Sequence, residues 1–246
     1  MGDQRLRLVL VEDHALVRAG LRALVEQADG IAVAGGGPGW SESAVRANRI
    51  CAIHPLRMGG PSRLIIVSGA PASGKTRLAE RLAADLGYPL LTKDLIKESL
   101  FDTVGSPDRV SSRQLSLVAY SILYRVVDRL IAAKVNLVME GNFQRGISEN
   151  GLAPLTLVSE AILIHCTAAT EELIRRYDRR ATEPLRHPGH HDGPLSADNV
   201  RGLSSGIYEP LELSVPKLLV DTTAGYDPHY AAILEFATGK SQRNEI

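Results

Sequence analysis

The chain alternates short, largely apolar runs with longer stretches in which apolar residues recur every three or four positions. The runs Leu64–Val67, Val135–Met139 and Ala161–His165 predict buried strands, Pro89–Leu91 predicts a shorter strand and Lys217–Val220 a last one. The stretches between them predict helices. One follows a Gly-rich turn and ends at about Leu86, and the next runs from about Asp94 to Phe101. A long helix that Ser111 or Ser112 can cap reaches about Lys134. An Arg-rich helix covers Glu171–Arg180, and the last runs from about Pro228 to Phe236. Strands that are apolar throughout are covered on both faces. Their alternation with helices predicts a doubly wound α/β domain with a parallel sheet.

The pattern differs near the N-terminus. Leu6–Val11 reads as a strand, Ala15–Gln27 as an amphipathic helix and Ile31–Ala34 as a second strand, a short partial βαβ segment. Gly35-Gly36-Gly37-Pro38-Gly39 breaks the pattern, and the weakly patterned stretch to about Ser62 reads as a linker. The expected organisation is a partial segment over 1–37, a linker over 38–62 and the main domain over 63–240.

Composition narrows the partners. The 246 residues are 44% hydrophobic and 23% charged, enough to bury a sizeable core. Lys and Arg total 28, as do Asp and Glu, so a neutral chain gives no footprint of general nucleic-acid or membrane binding. Cys51 and Cys166 lie apart in apolar runs and read as buried free thiols. The chain has no apolar stretch of membrane-spanning length and no basic start, so the expected location is cytoplasmic.

The candidate chemistry begins with Gly69-Ala70-Pro71-Ala72-Ser73-Gly74-Lys75-Thr76, a full match to the phosphate-binding pattern between a strand and a helix. The loop lets backbone N–H groups converge on phosphate oxygens at a helix start. Lys75 can reach the β- and γ-phosphates, the Thr76 hydroxyl can ligate Mg²⁺, and Arg77 follows on the helix. The motif therefore predicts ATP with Mg²⁺.

From about Leu64 onward the chain resembles the small predicted P-loop kinases, an AAA_33-like group near chloramphenicol phosphotransferase, polynucleotide 5′-kinase and the zeta toxins. The resemblance is carried by GAPASGKT, TKDLIKESLFDTVG, LVMEGNF and the Arg-rich stretch ending RHPGHHD. It implies a P-loop NTPase fold with an Arg-rich lid and a phosphoryl transfer reaction. It also implies that Asp94, after the second strand of this domain, is the general base, although Asp94 can equally cap its helix. Glu140 ends a strand where such proteins hold a carboxylate near Mg²⁺ or the acceptor, and a hydrogen-bonded structural role is the alternative. Arg175, Arg176, Arg179 and Arg180 share one helix, and the lid resemblance points to Arg176 and Arg180 first, the others suiting a solvated face.

Lys93 and Lys97 read as solvated helix charges, with phosphate binding as the alternative. His187, His190, His191 and Asp192 lie in a Pro- and Gly-interrupted run that suits a lid tip closing over ATP better than a metal cage. Residues Leu8–Arg22 resemble the start of a response-regulator receiver, with Glu12 and Asp13 as its acidic pair. Pro55 would stand in the phosphoacceptor slot and cannot accept a phosphoryl group, so the segment reads as a remnant. The expected function is an ATP- and Mg²⁺-dependent kinase acting on a hydroxyl of a small-molecule or nucleotide-like acceptor. The alternatives are an antibiotic- or nucleotide-sugar-modifying phosphotransferase, or a non-catalytic ATP-binding signalling module.

Overall fold

The computed structural model describes residues 60–105, 108–181, 187–190 and 206–239, together with strands at 6–11 and 31–37. The two N-terminal strands, β1 (Leu6–Val11) and β2 (Ile31–Gly37), pair in parallel. The expected helix over Ala15–Gln27, and Glu12, Asp13, Cys51 and Pro55, lie outside the described residues.

The main domain contains β3 (Arg63–Gly69), α1 (Lys75–Leu86), β4 (Leu90–Thr92), α2 (Lys93–Val104) and α3 (Arg109–Ala132). It continues with β5 (Leu137–Glu140), α4 (Glu149–Leu157), β6 (Glu160–Thr167), α5 (Thr170–Ala181), β7 (Lys217–Asp221) and α6 (Tyr230–Thr238). The five strands form one parallel sheet in the order β4-β5-β3-β6-β7. This is the doubly wound α/β architecture expected from the apolar runs.

The central strands β3, β5 and β6 feed two cores because their side chains alternate in direction, whereas the edge strand β7 buries Val220 on one face and exposes Leu219 on the other. Leu64, Ile66, Leu137, Met139 and Leu163 pack against α2, α3 and α4. Ile65, Val67, Val138, Ile162 and Val220 pack against α1 and α6 on the opposite face. Burial on both sides explains why β3, β5 and β6 read as continuous apolar runs. Cys166, on β6, is a free, buried thiol.

Local details depart from the sequence expectation in identifiable ways. The long helix α3 is capped by Asp108, whose carboxylate accepts from Ser111 N–H at 2.7 Å, and not by Ser111 or Ser112. An ionised carboxylate at the N-cap satisfies the orphan donors and faces the positive end of the helix dipole. Helix α4, with Gly151 and Pro154 inside it, falls where the sequence analysis assigns no element. Ser62, assigned to the linker, is buried, and its hydroxyl donates to the Ile131 carbonyl at 3.1 Å.

The register sets up the site. Thr92 aligns with Glu140, and Val67 aligns with the same Glu140, so three strand ends share one line at the carboxyl edge of the sheet. The chain runs from central β3 to one side for β4 and β5 and to the other for β6 and β7. Ligand crevices in open α/β sheets form at that edge, where the connections diverge.

Candidate active site

The phosphate loop turns sharply out of β3. Gly69 has φ 145°, and a Cβ there would collide with the Cys166 carbonyl oxygen and lie 2.6 Å from Ser73 Oγ. Only glycine allows this approach of β3 to β6. Ala72 at φ 65° and Gly74 at φ 76° complete the bend, and α1 starts at Lys75 with no side-chain cap on Gly74. A helix start without a side-chain cap presents donors suited to an anion. Ala70 and Ser73 are buried, Pro71 lies at intermediate exposure, and Thr76 and Arg77 are exposed on the first turn.

Lys75 folds back into the loop, where its Nζ donates to the Ala70 carbonyl at 3.2 Å and lies 4.0 Å from Glu140 Oε1. Burial lowers its pKa, and the attraction of Glu140 and then Asp94 offsets part of that shift. Glu140 is 2% exposed, and burial pushes its acid up to about 7 despite the Lys75 ammonium. Both partners shift toward their neutral forms, so desolvation outweighs their mutual attraction. Added positive charge beside Glu140 would favour its ionised form. A hydroxyl on Thr76 and a carboxylate on Glu140 are hard oxygen donors, a set whose chemistry fits Mg²⁺.

Asp94 stands in the first turn of α2, but it does not cap the helix. That role belongs to Thr92, whose hydroxyl accepts from Leu95 N–H at 3.1 Å. The Asp94 carboxylate is bracketed by two cations: Lys93 Nζ donates to Oδ1 at 2.7 Å, and Arg180 Nη2 lies 3.9 Å from Oδ2. The reading of Lys93 and Lys97 as solvated charges is corrected here. Both are 6% exposed, because α2 turns their shared face inward with Ile96.

The lid arginines divide. Arg176 pairs with Glu172 at 2.6 Å and donates to the Thr222 hydroxyl at 3.0 Å and the Thr222 carbonyl at 2.6 Å. Arg175 also pairs with Glu172, at 2.7 Å, and its guanidinium holds that acid down to about 2. Arg180 reaches Asp94 instead. Arg176 and Arg180 thus share a helix face but serve different ends of the crevice.

The tip of the predicted lid lies against α2 and α3. His187 Nδ1 accepts from Gly189 N–H at 3.1 Å, which leaves Nε2 as the donor to Asp102 Oδ1 at 3.1 Å. Ser112 Oγ donates to the Gly189 carbonyl at 3.2 Å. Residues 187–189 therefore dock on the α2–α3 side. His191, Asp192 and the His190 side chain lie outside the described residues.

Sequence reasoning missed Thr222, Tyr120 and Asn142. Tyr120 donates to the Asn142 carbonyl at 3.0 Å, next to the loop that leaves Glu140, and its ring centre lies 5.9 Å from Lys93 Nζ. Asn142 falls within LVMEGNF, whereas Tyr120 lies in a helix with no spaced motif, so no local signal marks the tyrosine.

Comparison with known proteins agrees with this geometry. A family model described as an AAA domain, AAA_33, matches residues 64–191. A candidate kinase from Chloroflexus aurantiacus is 34% identical, with a TM-score of 0.66, over 74% of this chain and 98% of its own. The crystal structure of APE1195 is 20% identical with a TM-score of 0.51, over 74% of this chain and 97% of its own, and supports the fold alone. No curated protein matches the chain. None of these matches supports the receiver resemblance. No helix among the described residues is long and apolar enough to cross a membrane. With the family model covering half the chain and a relative matched over nearly its whole length, this chain belongs to the AAA_33 family and carries a kinase-like P-loop domain.

Proposed function

We propose that this domain transfers the γ-phosphoryl group of ATP to a hydroxyl of a small acceptor. The observation that carries the reading is the loop ammonium Lys75 set 4.0 Å from the buried carboxylate Glu140 at the carboxyl edge of the sheet, with Asp94 adding to the negative field there. The candidate kinase from Chloroflexus aurantiacus, alike over the same domain, supports it.

In this reading the loop amides from Gly69 to Thr76 and the Lys75 ammonium grip the phosphate tail. Asp94 takes the proton of the acceptor hydroxyl as that oxygen attacks the γ-phosphorus. The bond from the γ-phosphorus to the bridging oxygen breaks in line, and ADP leaves with the electron pair. Arg180 moves from Asp94 to the equatorial oxygens, where charge gathers in the transition state. Arg176 holds the loop after β7 against the phosphate loop. Magnesium would neutralise charge on the β- and γ-phosphates, with Thr76 and Glu140 as its protein oxygen donors. The N-terminal segment is a receiver remnant in this reading, with Pro55 in the phosphoacceptor slot, and the enzyme is cytoplasmic.

The test is ADP release by the purified chain with Mg²⁺ and a panel of hydroxylated metabolites and antibiotics, scored above the acceptor-free background. Lys75→Ala should abolish nucleotide-dependent turnover, and Asp94→Asn should abolish transfer while leaving ADP affinity unchanged. Full transfer by Asp94→Asn would remove the base assignment. Absence of nucleotide affinity in the wild type would remove the reading as a whole.

A further inference from the structure

Among the described residues four buried side-chain atoms have no hydrogen-bond partner: Ser68 Oγ, Ser73 Oγ, Glu149 Oε2 and His165 Nδ1. Ser73 belongs to the phosphate loop, and the other oxygen of Glu149 accepts from Glu212 N–H at 3.1 Å. The remaining two are neighbours. Ser68 of β3 aligns with His165 of β6 in the parallel register, so both side chains leave the same face of the sheet. Ser68 is fully buried and His165 is 4% exposed.

The pair forms the top layer of that face. Below it Ile66 aligns with Leu163, and Leu64 with Ala161, all buried in the core shared with α2, α3 and α4. Beyond it β3 turns into the phosphate loop at Gly69. The face therefore changes from apolar to polar at its last step before the crevice, on the side of the helix that carries Asp94. Lys75 links the two: it feels the charge of Asp94, and its own charge acts on His165.

The polarity of the pair selects what it can bind. Burial, and then the Lys75 ammonium, bring the His165 imidazole down to about 4, so the ring is neutral near pH 7. Its hydrogen bond with the Tyr208 backbone favours the protonated ring, the sign of a donation to the Tyr208 carbonyl. Nδ1 is the nitrogen without a partner, so Nε2 carries the hydrogen and Nδ1 offers a lone pair. Beside it the Ser68 hydroxyl can donate. A carboxylate or phosphate oxygen would meet the Nδ1 lone pair with nothing to donate, and an ammonium would meet the field of Lys75. A single hydroxyl satisfies both atoms, its hydrogen going to Nδ1 and its oxygen accepting from Ser68. Buried polar groups that a wrong ligand leaves unpaired are a strong source of selectivity.

We propose that Ser68 Oγ and His165 Nδ1 together bind a second hydroxyl of the acceptor, so that the acceptor is a polyol or sugar with one hydroxyl toward Asp94 and another toward this pair. This rests on the kinase reading above and names its substrate class.

Two experiments test it. The first follows the His165 Nδ1 resonance by nitrogen NMR on the full chain with ADP and Mg²⁺, with His165→Gln for assignment. The probes are glycerol, ribitol and glucose, each against analogues lacking one hydroxyl. At least one probe should move the resonance saturably toward the position of a hydrogen-bonded nitrogen, and the analogue without the bound hydroxyl should not. A resonance already at that position and unmoved by the probes would mean that a fixed water holds the ring, and would overturn the subsite. A free nitrogen that no probe moves overturns it equally.

The second experiment sets the same polyols against their deoxy analogues and against one-hydroxyl alcohols in the ADP-release assay. The polyol should be preferred roughly a hundredfold in kcat/KM. Ser68→Ala and His165→Gln should each lower its kcat/KM about tenfold and erase the preference over the deoxy analogue, with ADP affinity unchanged. Glutamine can keep the bond to the Tyr208 carbonyl while removing the Nδ1 lone pair; should it not fold, Ser68→Ala, which removes one oxygen, carries the comparison. Variants that keep the preference overturn the proposal, as does equal use of a one-hydroxyl alcohol, and in both cases the kinase reading stands. A polyol that moves Nδ1 while no acceptor consumes ATP leaves the hydroxyl site standing and removes the kinase reading.

Discussion

The Thr222 hydroxyl lies 2.9 Å from the carbonyl oxygen of Ser73, joining the turn after the last strand to the phosphate loop across 149 residues of sequence. The same oxygen is 3.1 Å from the Thr167 carbonyl and accepts from Arg176 Nη1 at 3.0 Å. One hydroxyl hydrogen is shared between two carbonyls while a lone pair receives the guanidinium. The phosphate loop is therefore braced from behind by β6, β7 and α5 together.

Removing that brace should weaken nucleotide binding without touching a phosphate contact. Thr222→Val keeps the side-chain volume and leaves two buried carbonyls and a guanidinium short of a partner, a loss of about 1–3 kcal/mol. Urea unfolding should report a loss of that size, and calorimetry a weaker ADP affinity. An unchanged affinity would show that the loop holds its shape alone.

Arg176 and Arg180 should separate experimentally. Arg176→Met should lower Tm and ADP affinity, because its guanidinium bonds only protein groups among the contacts described, Glu172, Thr222 and Thr223. Arg180→Met should leave Tm nearly unchanged and lower kcat by roughly 10²–10³, the usual effect of losing one transition-state donor. Steady-state kinetics beside thermal unfolding checks both, and a reversal of the two patterns would exchange the roles.

Glu140 should make the protein less stable as pH rises. The acid titrates near 4.5 in an unfolded chain and near 7 in the folded one, raised by burial. Between those values the unfolded state has lost the proton that the folded state still holds. The contribution of this group is full below about pH 4.5 and falls by about 3 kcal/mol as pH passes 7. Glu140→Gln should flatten this slope and be more stable than the wild type at pH 8, measured by urea unfolding at pH 5, 6.5 and 8. Mg²⁺ added with nucleotide should restore stability to the wild type only.

Gly69→Ala should be among the most damaging single-methyl changes in the domain. The added carbon meets the Cys166 carbonyl and Ser73 Oγ on a φ of 145° that alanine avoids. The expected result is loss of nucleotide binding with at least several kcal/mol of destabilisation, in order of magnitude, seen by calorimetry and thermal unfolding. By contrast, nothing lies within 4 Å of a Cβ built on Gly146, so Gly146→Ala tests only its φ of 77° and should be mild.

Much of this architecture was legible in the residues themselves, because the signals are local. Continuous apolar runs such as Leu64–Val67 can be satisfied only by a strand covered twice, and GAPASGKT carries its strand, turn and helix with it. Helix α1 and the Arg-rich α5 fall where the spacing placed them. Other features depended on neighbours remote in sequence. Helix α4 holds Gly151 and Pro154, both poor helix formers, and the glycine lets the Tyr124 ring lie against its backbone, where a Cβ would collide. Tertiary contact overrode propensity.

What the sequence alone determined is the class of fold and the phosphate-gripping turn, since hydrophobic period and glycine chemistry act over a few adjacent residues. What the tertiary structure decided is direction: the sheet order, the docking of residues 187–190 on α2 and α3, the turning of Lys93 and Lys97 inward, and the division of labour between Arg176 and Arg180. A helix can be recognised from its period, but the angle at which it is rotated about its own axis depends on the surfaces it packs against. Those surfaces come from segments up to 174 residues away, as where Arg63 of β3 meets the Ala237 carbonyl of α6.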